Sequence, residues 1–511
     1  MLLKLALGLN RTSPPHELLR TENGFVQCSV LQNYIVRDKR IKKIGGTEAY
    51  NITALAGAIP WVTRSYHKRG DGTFRKVKFC FSDGAIYYGD DVAGTLTAAR
   101  SGFLVTAIPM HATIQVSGNS VMYFFSGENE VVKYDGNGSF TFEDTTLNAD
   151  LGRTIESAVV HLDRMVYVSK NSSFLAMSTP FLPEDLTTDG IDVIVGQETD
   201  SVIRRVVVGA NETLYIFKNQ SIWQLYGRTP STFEFRRVTD KYGLAAKRGI
   251  CAVGGGFIFL DEFTKELHFF GGTESSIRPL TEDSIRLREI LDIGQIDKVD
   301  MVVHDGLFRF AFKHVDDSIY QDRELIYAIN EPGPDGDPKW SMSKGAKILS
   351  YSTWKEQGDN HELVTGRSDT GKLMYHNRGG KFDTEAIETQ FRTAEIVVSE
   401  DKVVRFKGFY VKGKPSSRNV NVLFKYFLNG RYATYGGSNL DAFGEYRQVG
   451  SILISTQSIF NNRIIPYHAQ SLGNSISFEI YDNTKDLDLE FYSIGFDAVP
   501  RYPIKNKLVG T

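Results

Sequence analysis

The sequence predicts an all-β protein: a seven-bladed β-propeller with an N-terminal arm and a C-terminal β-sandwich. Three observations support this prediction. Short apolar runs closed by turn residues fill most of the chain, the unit that they form recurs about every 44–54 residues, and this period is lost after residue 386. A repeat of about 40–50 residues that carries four strands is typical of a propeller blade.

The clearest copy of the repeated unit is residues 112–143, in which four short apolar runs are separated by turn signals. The signals are Ser117-Gly118-Asn119, Gly127-Glu128-Asn129 and 135–138 (DGNG). Strand-length runs punctuated by Gly, Asn and Asp are typical of an antiparallel meander. Aromatic and β-branched residues fill the runs, as a pleated, half-buried surface favours.

The unit recurs with one apolar anchor residue in the second strand of each copy. Successive anchors are 44, 44, 48, 44, 51 and 54 residues apart, and they are Phe79, Tyr123, Tyr167, Tyr215, Phe259, Phe310 and Val364. Seven copies predict seven blades, because a four-stranded sheet cannot bury both faces alone and stacking in a ring covers them. The alternative is a set of ordinary β-sandwiches with accidental spacing.

The period divides the chain into four predicted regions: an N-terminal arm (1–50), the propeller (51–385), a β-sandwich or jelly-roll-like domain (386–500) and a C-terminal tail (501–511). The sandwich is predicted from longer strands that alternate between apolar and polar residues. Within the propeller, Thr281–Leu291 is expected to be a helix between blades, and Glu331–Pro338 a protruding loop.

Composition narrows the function classes. The 511 residues carry a formal net charge of −2, so no global field attracts nucleic acid or an acidic membrane. The three cysteines form no CxxC pair, which fits a chain that folds in reducing cytoplasm. No run reaches the roughly 20 apolar residues of a membrane span. The apolar start of the chain is read as an edge strand or a packed arm, with a signal peptide as the alternative.

One local patch stands out against this neutral background. Five cations lie within seven residues, followed by a Gly-Gly pair, and they are Arg37, Lys39, Arg40, Lys42 and Lys43. They are candidate contacts to DNA or to an acidic partner surface. The alternative interpretation is a solvated basic turn.

The sequence contains none of the common catalytic motifs. The histidines show neither HxH nor HExxH spacing, Gly254-Gly255-Gly256 lacks the GK[ST] of a phosphate loop, and no GxSxG occurs with a plausible triad. The sequence therefore predicts no enzyme, no cofactor, no metal site and no catalytic residue. Two carboxylates that converge across a channel mouth, as in glycosidases, cannot be recognised from sequence.

The order of several segments resembles the tail hub or nozzle proteins of short-tailed bacteriophages, the "DNA-stabilising" tail accessory family. The segments are Lys42–Gly46, Tyr242–Leu244, 250–272 (ICAVGGGFIFLDEFTKELHFFGG), 277–290 (IRPLTEDSIRLREI) and Pro338–Met342. The resemblance is best over residues 240–345. It implies a virion structural protein without catalytic residues, made in the host cytoplasm, which extends and closes the DNA channel below the portal.

The resemblance also implies partners: further copies in a ring, expected to be a hexamer, a portal or head-tail adaptor protein, and a tail fibre or tailspike. DNA would pass through the channel without sequence readout during ejection. Two other functions stay open, a carbohydrate-binding or carbohydrate-cleaving propeller and a cellular scaffold propeller.

Overall fold

A computed structural model describes most of the chain. The described residues are 2–9, 11, 25–38, 40–68, 72–89, 94–136, 140–196, 201–317, 320–332, 338–355, 361–398, 402–414, 420–428, 447–454, 460–464, 472–473, 475–483 and 489–503. The centre of the predicted loop, 333–337, and most of the predicted tail, 504–511, lie outside the described residues.

Five strands precede the first complete sheet. They are β1 (Leu2–Leu9), β2 (Phe25–Gln32), β3 (Tyr34–Arg37), β4 (Arg40–Lys43) and β5 (Thr47–Ala49). Strands β1 to β4 join the C-terminal strands, and β5 joins the last sheet of the propeller, as described below.

Four-stranded antiparallel sheets then follow one another along the chain, and we assign each as a blade. Blade 1 is β6–β9: Trp61–Lys68, Phe74–Ser82, Ala85–Gly89 and Thr97–Ser101. Blade 2 is β10–β13: Met110–Val116, Asn119–Phe125, Val132–Tyr134 and Glu143–Asp144. Helix α1 (Leu147–Leu151) leads to blade 3, β14–β17: Ile155–His161, Arg164–Ser169, Phe174–Met177 and Ile191–Ile194.

Blades 4 to 6 continue the pattern. Blade 4 is β18–β21: Ile203–Val208, Leu214–Lys218, Ile222–Tyr226 and Glu234–Thr239. Blade 5 is β22–β25: Ile250–Val253, Gly256–Leu260, Leu267–Phe270 and Arg278–Pro279. Blade 6 is β26–β29: Asp300–His304, Leu307–Phe312, Arg323–Ala328 and Ser341–Lys344. Short 3-10 turns occupy Ala210–Glu212, Pro230–Thr232, Glu274–Ser276 and Ile293–Lys298.

The helix expected over 281–291 is shorter than predicted. Helix α2 covers only Leu287–Ile290, because Arg286 takes a left-handed conformation with φ 50° and so interrupts a longer helix. The apolar residues predicted to form its inner face, Ile285, Ile290 and Leu291, are all buried.

The last sheet of the ring takes one strand from the other end of the propeller sequence. Strands β30 (Ile348–Lys355), β31 (His361–Arg367) and β32 (Leu373–His376) come from the seventh repeat. The fourth position is filled by β5, which pairs antiparallel with β32, and the small strands β33 (Lys381–Phe382) and β34 (Glu385–Ala386) extend this sheet. Strand β5 thus protects an edge that would otherwise be open.

These sheets confirm the β-propeller class. The anchor residues of the sequence repeat form part of its hydrophobic core. All seven anchor residues lie in the second strand of their sheets and are buried. On β11, Tyr123 and Phe125 pack against blade 3, whereas Met122 and Phe124 pack against blade 1. The central residues of each second strand are buried on both faces, which is why most of them are apolar and the strands do not alternate between apolar and polar residues.

The hairpin turns follow the Gly and Asp signals in the sequence. Between the first two strands of blades 2, 5 and 6, the turn pairs Ser117-Gly118, Gly254-Gly255 and Asp305-Gly306 all have positive φ at both positions. Two-residue hairpins of this kind match the twist of the strands but need residues that tolerate positive φ. Gly254 and Gly255 are therefore a turn, as expected, and not a phosphate loop.

The C-terminal strands build a second β domain. They are β35 (Thr389–Thr393), β36 (Ile396–Val397), β37 (Lys402–Gly413), β38 (Val420–Leu428), β39 (Arg447–Ile454), β40 (Phe460–Ile464), β41 (Leu472–Gly473), β42 (Ser475–Asp482) and β43 (Glu490–Pro503). The predicted arm is part of this domain. Strand β1 pairs with β43, β2 with β35 and β4 with β43, because each of these edges needs a hydrogen-bonding partner.

The second domain is joined to blade 6 through a shared core. Strand β2 reaches β29 of blade 6 in parallel pairing at Gln32 and Met342. One hydrophobic cluster contains Phe308 and Trp340 of blade 6 together with Tyr34 and Phe391 of the second domain. Trp340 is fully buried and donates from Nε1 to the carbonyl of Leu280 at 2.9 Å. The propeller and the second domain therefore pack as one body.

Candidate functional site

The predicted basic cluster lies on the β3–β4 hairpin, where most of its charge is neutralised. Arg37 contacts Asp305 at 2.9 Å, and Arg40 contacts Glu490 at 2.7 Å. Lys43 is only 1 % exposed and forms an ion pair with Asp482 at 3.1 Å. Lys42 points to solvent from the opposite face, since neighbouring residues on a strand alternate. Lys39 lies outside the described residues.

A second group of charges, which the sequence analysis missed, surrounds the propeller axis. The first strands of the blades converge there and line a partly open cavity of about 170 Å³, which we call the inner cavity. Its walls come from six of the seven blades or from the residues that enter them, and its apolar lining includes Trp61, Val62, Met110, Ile250 and Met301. Its charged residues are Arg205, Lys247, Arg248 and Asp300.

Arg248 spans the point where the blades meet. Its Nη1 donates to the carbonyl of Pro60, and its Nη2 donates to the carbonyls of Lys298 and Leu349 at 3.1 and 3.0 Å. These acceptors precede or begin the first strands of blades 1, 6 and 7. Because backbone carbonyls satisfy most of its donors, Arg248 fixes the blades, and Asp300 at 3.7 Å is the carboxylate that offsets its charge.

Asp300 is the single carboxylate of the inner cavity lining. Its oxygens accept hydrogen bonds from the backbone amides of Met301 and Tyr351 at 3.0 and 2.8 Å, and it lies 3.7 Å from Arg248. Burial raises the pKa of this carboxyl, which the Arg248 cation opposes. Burial also lowers the pKa of Arg205 to about 10, despite the negative charge of Asp300.

His111 is held as a neutral ring on the cavity wall. Trp61 Nε1 can only donate, so His111 Nδ1 accepts its hydrogen bond at 3.1 Å. The other nitrogen, Nε2, then carries the proton and lies 3.1 Å from Thr63 Oγ1. Burial, aided by the Arg205 cation, lowers the pKa of His111 to about 4. His111 therefore adds no charge at neutral pH.

An outer cavity of about 190 Å³ adjoins the inner one, and Lys247 lines both. Its charges balance: the cations are Lys170, Arg204 and Lys247, and the carboxylates are Glu128, Glu156 and Asp297. Lys170 and Glu128 form an ion pair. Burial raises the pKa of Glu156, with nearby cations led by Lys247 opposing the shift.

A sequence signal for this site exists in the blade period. Two basic pairs, Arg204-Arg205 and Lys247-Arg248, lie 43 residues apart, close to the 44-residue spacing of the anchors Tyr215 and Phe259. Equivalent positions of successive blades face the same axis, so the pairs converge. Either basic pair alone would be read as an ordinary surface feature. Their common position in successive repeats is the signal that predicts their convergence.

Among the described residues, no three His, Cys, Asp or Glu side chains are grouped so that they could hold a metal ion. No helix in the same part of the chain has the length and apolar character of a membrane span.

Comparison with known proteins adds only distant similarity. No protein-family model and no curated protein matches the sequence. Among solved structures, the β-propeller domain of Cps50 (Swd1) from Myceliophteria thermophila aligns with 8 % identity and a TM-score of 0.39, covering 66 % of this chain and 99 % of that domain.

YCF48, in a structure with the D1 peptide, aligns with 10 % identity and a TM-score of 0.38, covering 65 % of this chain and 97 % of that one. A catalytically inactive virginiamycin B lyase from Staphylococcus aureus aligns with 12 % identity and a TM-score of 0.40, covering 63 % and 98 %. These proteins share the class of fold that the sheets establish.

Proposed function

We propose that this chain is a structural virion protein, a subunit of the tail nozzle or hub ring of a short-tailed bacteriophage. The observation that carries the proposal is the shared core of the propeller and the second β domain. A subunit that transmits force during DNA ejection needs domains that keep their relative position, and a large apolar junction resists domain motion.

The residues behind the family resemblance support the same role, because they hold the fold and carry no reactive chemistry. Gly243 lies so close to the backbone of residue 219 that a Cβ would approach its oxygen to 2.1 Å, and its amide donates to Asp261. Trp340 anchors the junction from within Pro338–Met342. A resemblance carried by residues that hold the fold favours a family of structural proteins over a family of enzymes.

The proposed path of DNA lies between copies of the chain. Arg248 and its carbonyl partners occupy the propeller axis, so a single propeller offers no passage for a duplex. A ring of copies, which we take to be a hexamer, would surround the channel below the portal or adaptor. The β3–β4 hairpin is nearly neutral, because most of its cations pair with carboxylates. This favours passage of DNA without sequence readout.

The proposal is tested by locating the protein in particles. Phage lacking the gene are complemented with the full chain, and virion-bound protein and retained DNA are measured while tails are imaged by electron microscopy. We expect a ring below the portal and loss of packaged DNA without the protein. If particles that lack the chain have normal tails and retain their DNA, the nozzle function is ruled out.

A matched pair of variants probes the hairpin as a contact to the portal, the adaptor or a tail fibre. Lys42→Glu reverses an exposed cation of the predicted cluster, and Arg228→Glu reverses an exposed cation of blade 4. We expect the first change to lower incorporation several-fold and the second to leave it unchanged. Equal incorporation of both variants would show that Lys42 does not contact the partner.

Deletion of residues 1–45 would not test the same contact, because it removes four strands from the second domain.

A carbohydrate-cleaving propeller is the second candidate, and one observation favours it. Glu156 and Asp297 both line the outer cavity, and the pKa of Glu156 is raised, mainly by burial. A glycosidase uses such a pair as acid and base. A screen for polysaccharide cleavage decides the matter: activity that Glu156→Gln abolishes would establish this function in place of the structural one.

A further inference from the structure

The inner cavity carries an excess of positive charge that the fold does not neutralise. Its lining has three cations, Arg205, Lys247 and Arg248, and one carboxylate, Asp300, a net formal charge of +2. Lys247 also lines the outer cavity, so the two cavities together hold five cations and four carboxylates, a net formal charge of +1. Arg205 and Arg248 are the cations that line the inner cavity alone, and Asp300 is its one carboxylate.

Donors in the inner cavity lack acceptors among the described residues. Arg205 Nη1 and Arg248 Nε are both buried without a hydrogen-bond partner. Asp300 accepts a backbone amide at each oxygen, and its distance of 3.7 Å from Arg248 is too long for a hydrogen bond. A buried donor left unpaired costs about 1–3 kcal/mol, and more when it is charged. An acceptor supplied from outside the chain would satisfy both groups.

The surroundings strengthen the field of these cations. Trp61, Val62, Met110, Ile250 and Met301 place apolar side chains beside these charges, and partial burial strengthens the interaction between charges. The cavity volume of about 170 Å³ is many times the roughly 10–15 Å³ needed for one water molecule. There is room for a tetrahedral ion, and Lys247, which lines both cavities, marks the route from the outer cavity.

We propose that the inner cavity binds a small free oxyanion of the phosphate type, held by Arg205, Lys247 and the free Nε–H of Arg248. The cations come from blades 4 and 5, and the remaining walls come from blades 1, 2, 6 and 7. The bound ion ties these blades together at the axis and stabilises the closed ring. This site is independent of the proposed tail function.

The arrangement of Arg204 and Arg205 provides a matched control. The two residues are adjacent on blade 4, yet Arg205 lines the inner cavity and Arg204 lines the outer one. Arg204→Gln removes the same charge from the same strand without touching the proposed ligand. Arg205→Gln removes a ligand and also removes a buried cation that is unpaired when the ion is absent.

The experiment measures binding of inorganic phosphate to the full chain by calorimetry, together with the melting temperature, in phosphate-free buffer of constant ionic strength. We expect one ion per chain and a rise in Tm of about 2 °C or more at saturation. Arg205→Gln is expected to weaken binding at least about tenfold, whereas Arg204→Gln leaves it within about twofold. Without phosphate, Arg205→Gln should melt at or above the wild-type temperature.

Two further arms separate the possible outcomes. Acetate, a carboxylate, replaces phosphate in one arm and is expected to bind at least about tenfold more weakly, because it offers fewer acceptors. Crystals soaked with tungstate should show one anomalous peak beside Arg205. If Arg205→Gln fails to fold, Lys247→Met takes its place.

Three results would overturn the site. They are the absence of saturable phosphate binding, equal weakening by the changes at 204 and 205, and an equal Tm rise from chloride at matched ionic strength. None of them bears on incorporation into particles, so a failure here is distinct from a failure of the tail function.

Discussion

The second domain and the propeller axis both bury cations, but the surroundings of these cations differ. In the second domain, Lys43 on β4 meets the carboxylate of Asp482 on β42, and both side chains are 1 % exposed. At the axis, Arg205 Nη1 is buried without a hydrogen-bond partner. A neutralised pair serves the fold, whereas an unneutralised cation is retained where a ligand can use it.

At the junction between the propeller and the second domain, the side chain of Asn33 is hydrogen-bonded to protein groups on both sides. Asn33 donates from Nδ2 to the carbonyls of Lys344 and Glu388, and its Oδ1 accepts from the amide of Lys344. One side chain thus ties strand β29 of blade 6 to the chain just before β35. The axis instead has neutral carbonyls and apolar walls around its charges. We conclude that the junction is built as protein interior and the axis as a binding cavity.

The largest expected effect tests the junction through Trp340. Trp340→Ala should lower the free energy of unfolding by about 3–5 kcal/mol, since it empties a buried site beside Phe308 and Tyr327. Denaturant titration provides the measurement. Trp340→Phe keeps most of the packing and should cost clearly less. A loss below about 1 kcal/mol would mean that the two domains do not depend on this core.

The buried ion pair comes next and sharpens the comparison directly. Lys43→Met leaves Asp482 buried with its Lys43 partner removed and should cost about 3 kcal/mol. The double change Lys43→Met with Asp482→Leu should recover most of that loss, because both charges are removed together. Arg205→Met at the axis, measured in the same titration without phosphate, should cost nothing. A similar cost at both sites would erase the distinction between them.

Asn33 is expected to contribute a smaller amount. Its φ is 57°, so Asn33→Gly keeps the backbone conformation and removes only the side-chain hydrogen bonds. The loss should be about 2 kcal/mol, because buried carbonyls and an amide lose their partners. Asp38→Gly, at an exposed residue with φ 53°, is the control and should stay within about 0.5 kcal/mol. Equal values for the two changes would contradict the role of Asn33.

At neutral pH the smallest effect is that of His111, because this group affects stability only in acid. The folded pKa of His111 is about 4, below its ordinary value of 6.5, so the unfolded chain binds the proton first as pH falls. Stability is unaffected by this group above pH 6.5 and declines between 6.5 and 4, by up to about 1.4 kcal/mol per pH unit. His111→Gln should remove that part of the slope in thermal unfolding. An unchanged slope would show that His111 does not stay neutral in the folded chain.

Local features of the fold were accessible from sequence because they depend on neighbouring residues. Turn pairs such as Asp305-Gly306 need residues that tolerate positive φ, and the apolar second strands need burial on both faces. The period of the anchors then follows from stacking of equal units. The helix at 281–291 was overestimated because Arg286 turns left-handed, which its side chain does not signal.

Long-range pairings were beyond the same reasoning. Residues 1–50 have the composition of an arm, yet β1, β2 and β4 pair with strands more than 350 residues away, and β5 completes the seventh sheet. An unpaired edge accepts whichever strand the tertiary structure brings to it. Sequence marks a segment as a strand but not which edge it completes.

The sequence by itself determined the repeat, its strands and turns, and the buried face of each strand, because these depend on chemistry within a few residues. The tertiary structure alone decided which cations are neutralised. Lys43 finds Asp482 across 439 residues, while Arg205 and Arg248 meet on an axis with one shared carboxylate, Asp300. Whether a buried charge is neutralised depends on its distance in space from other charges. The number of residues between two charges in the sequence does not determine that distance.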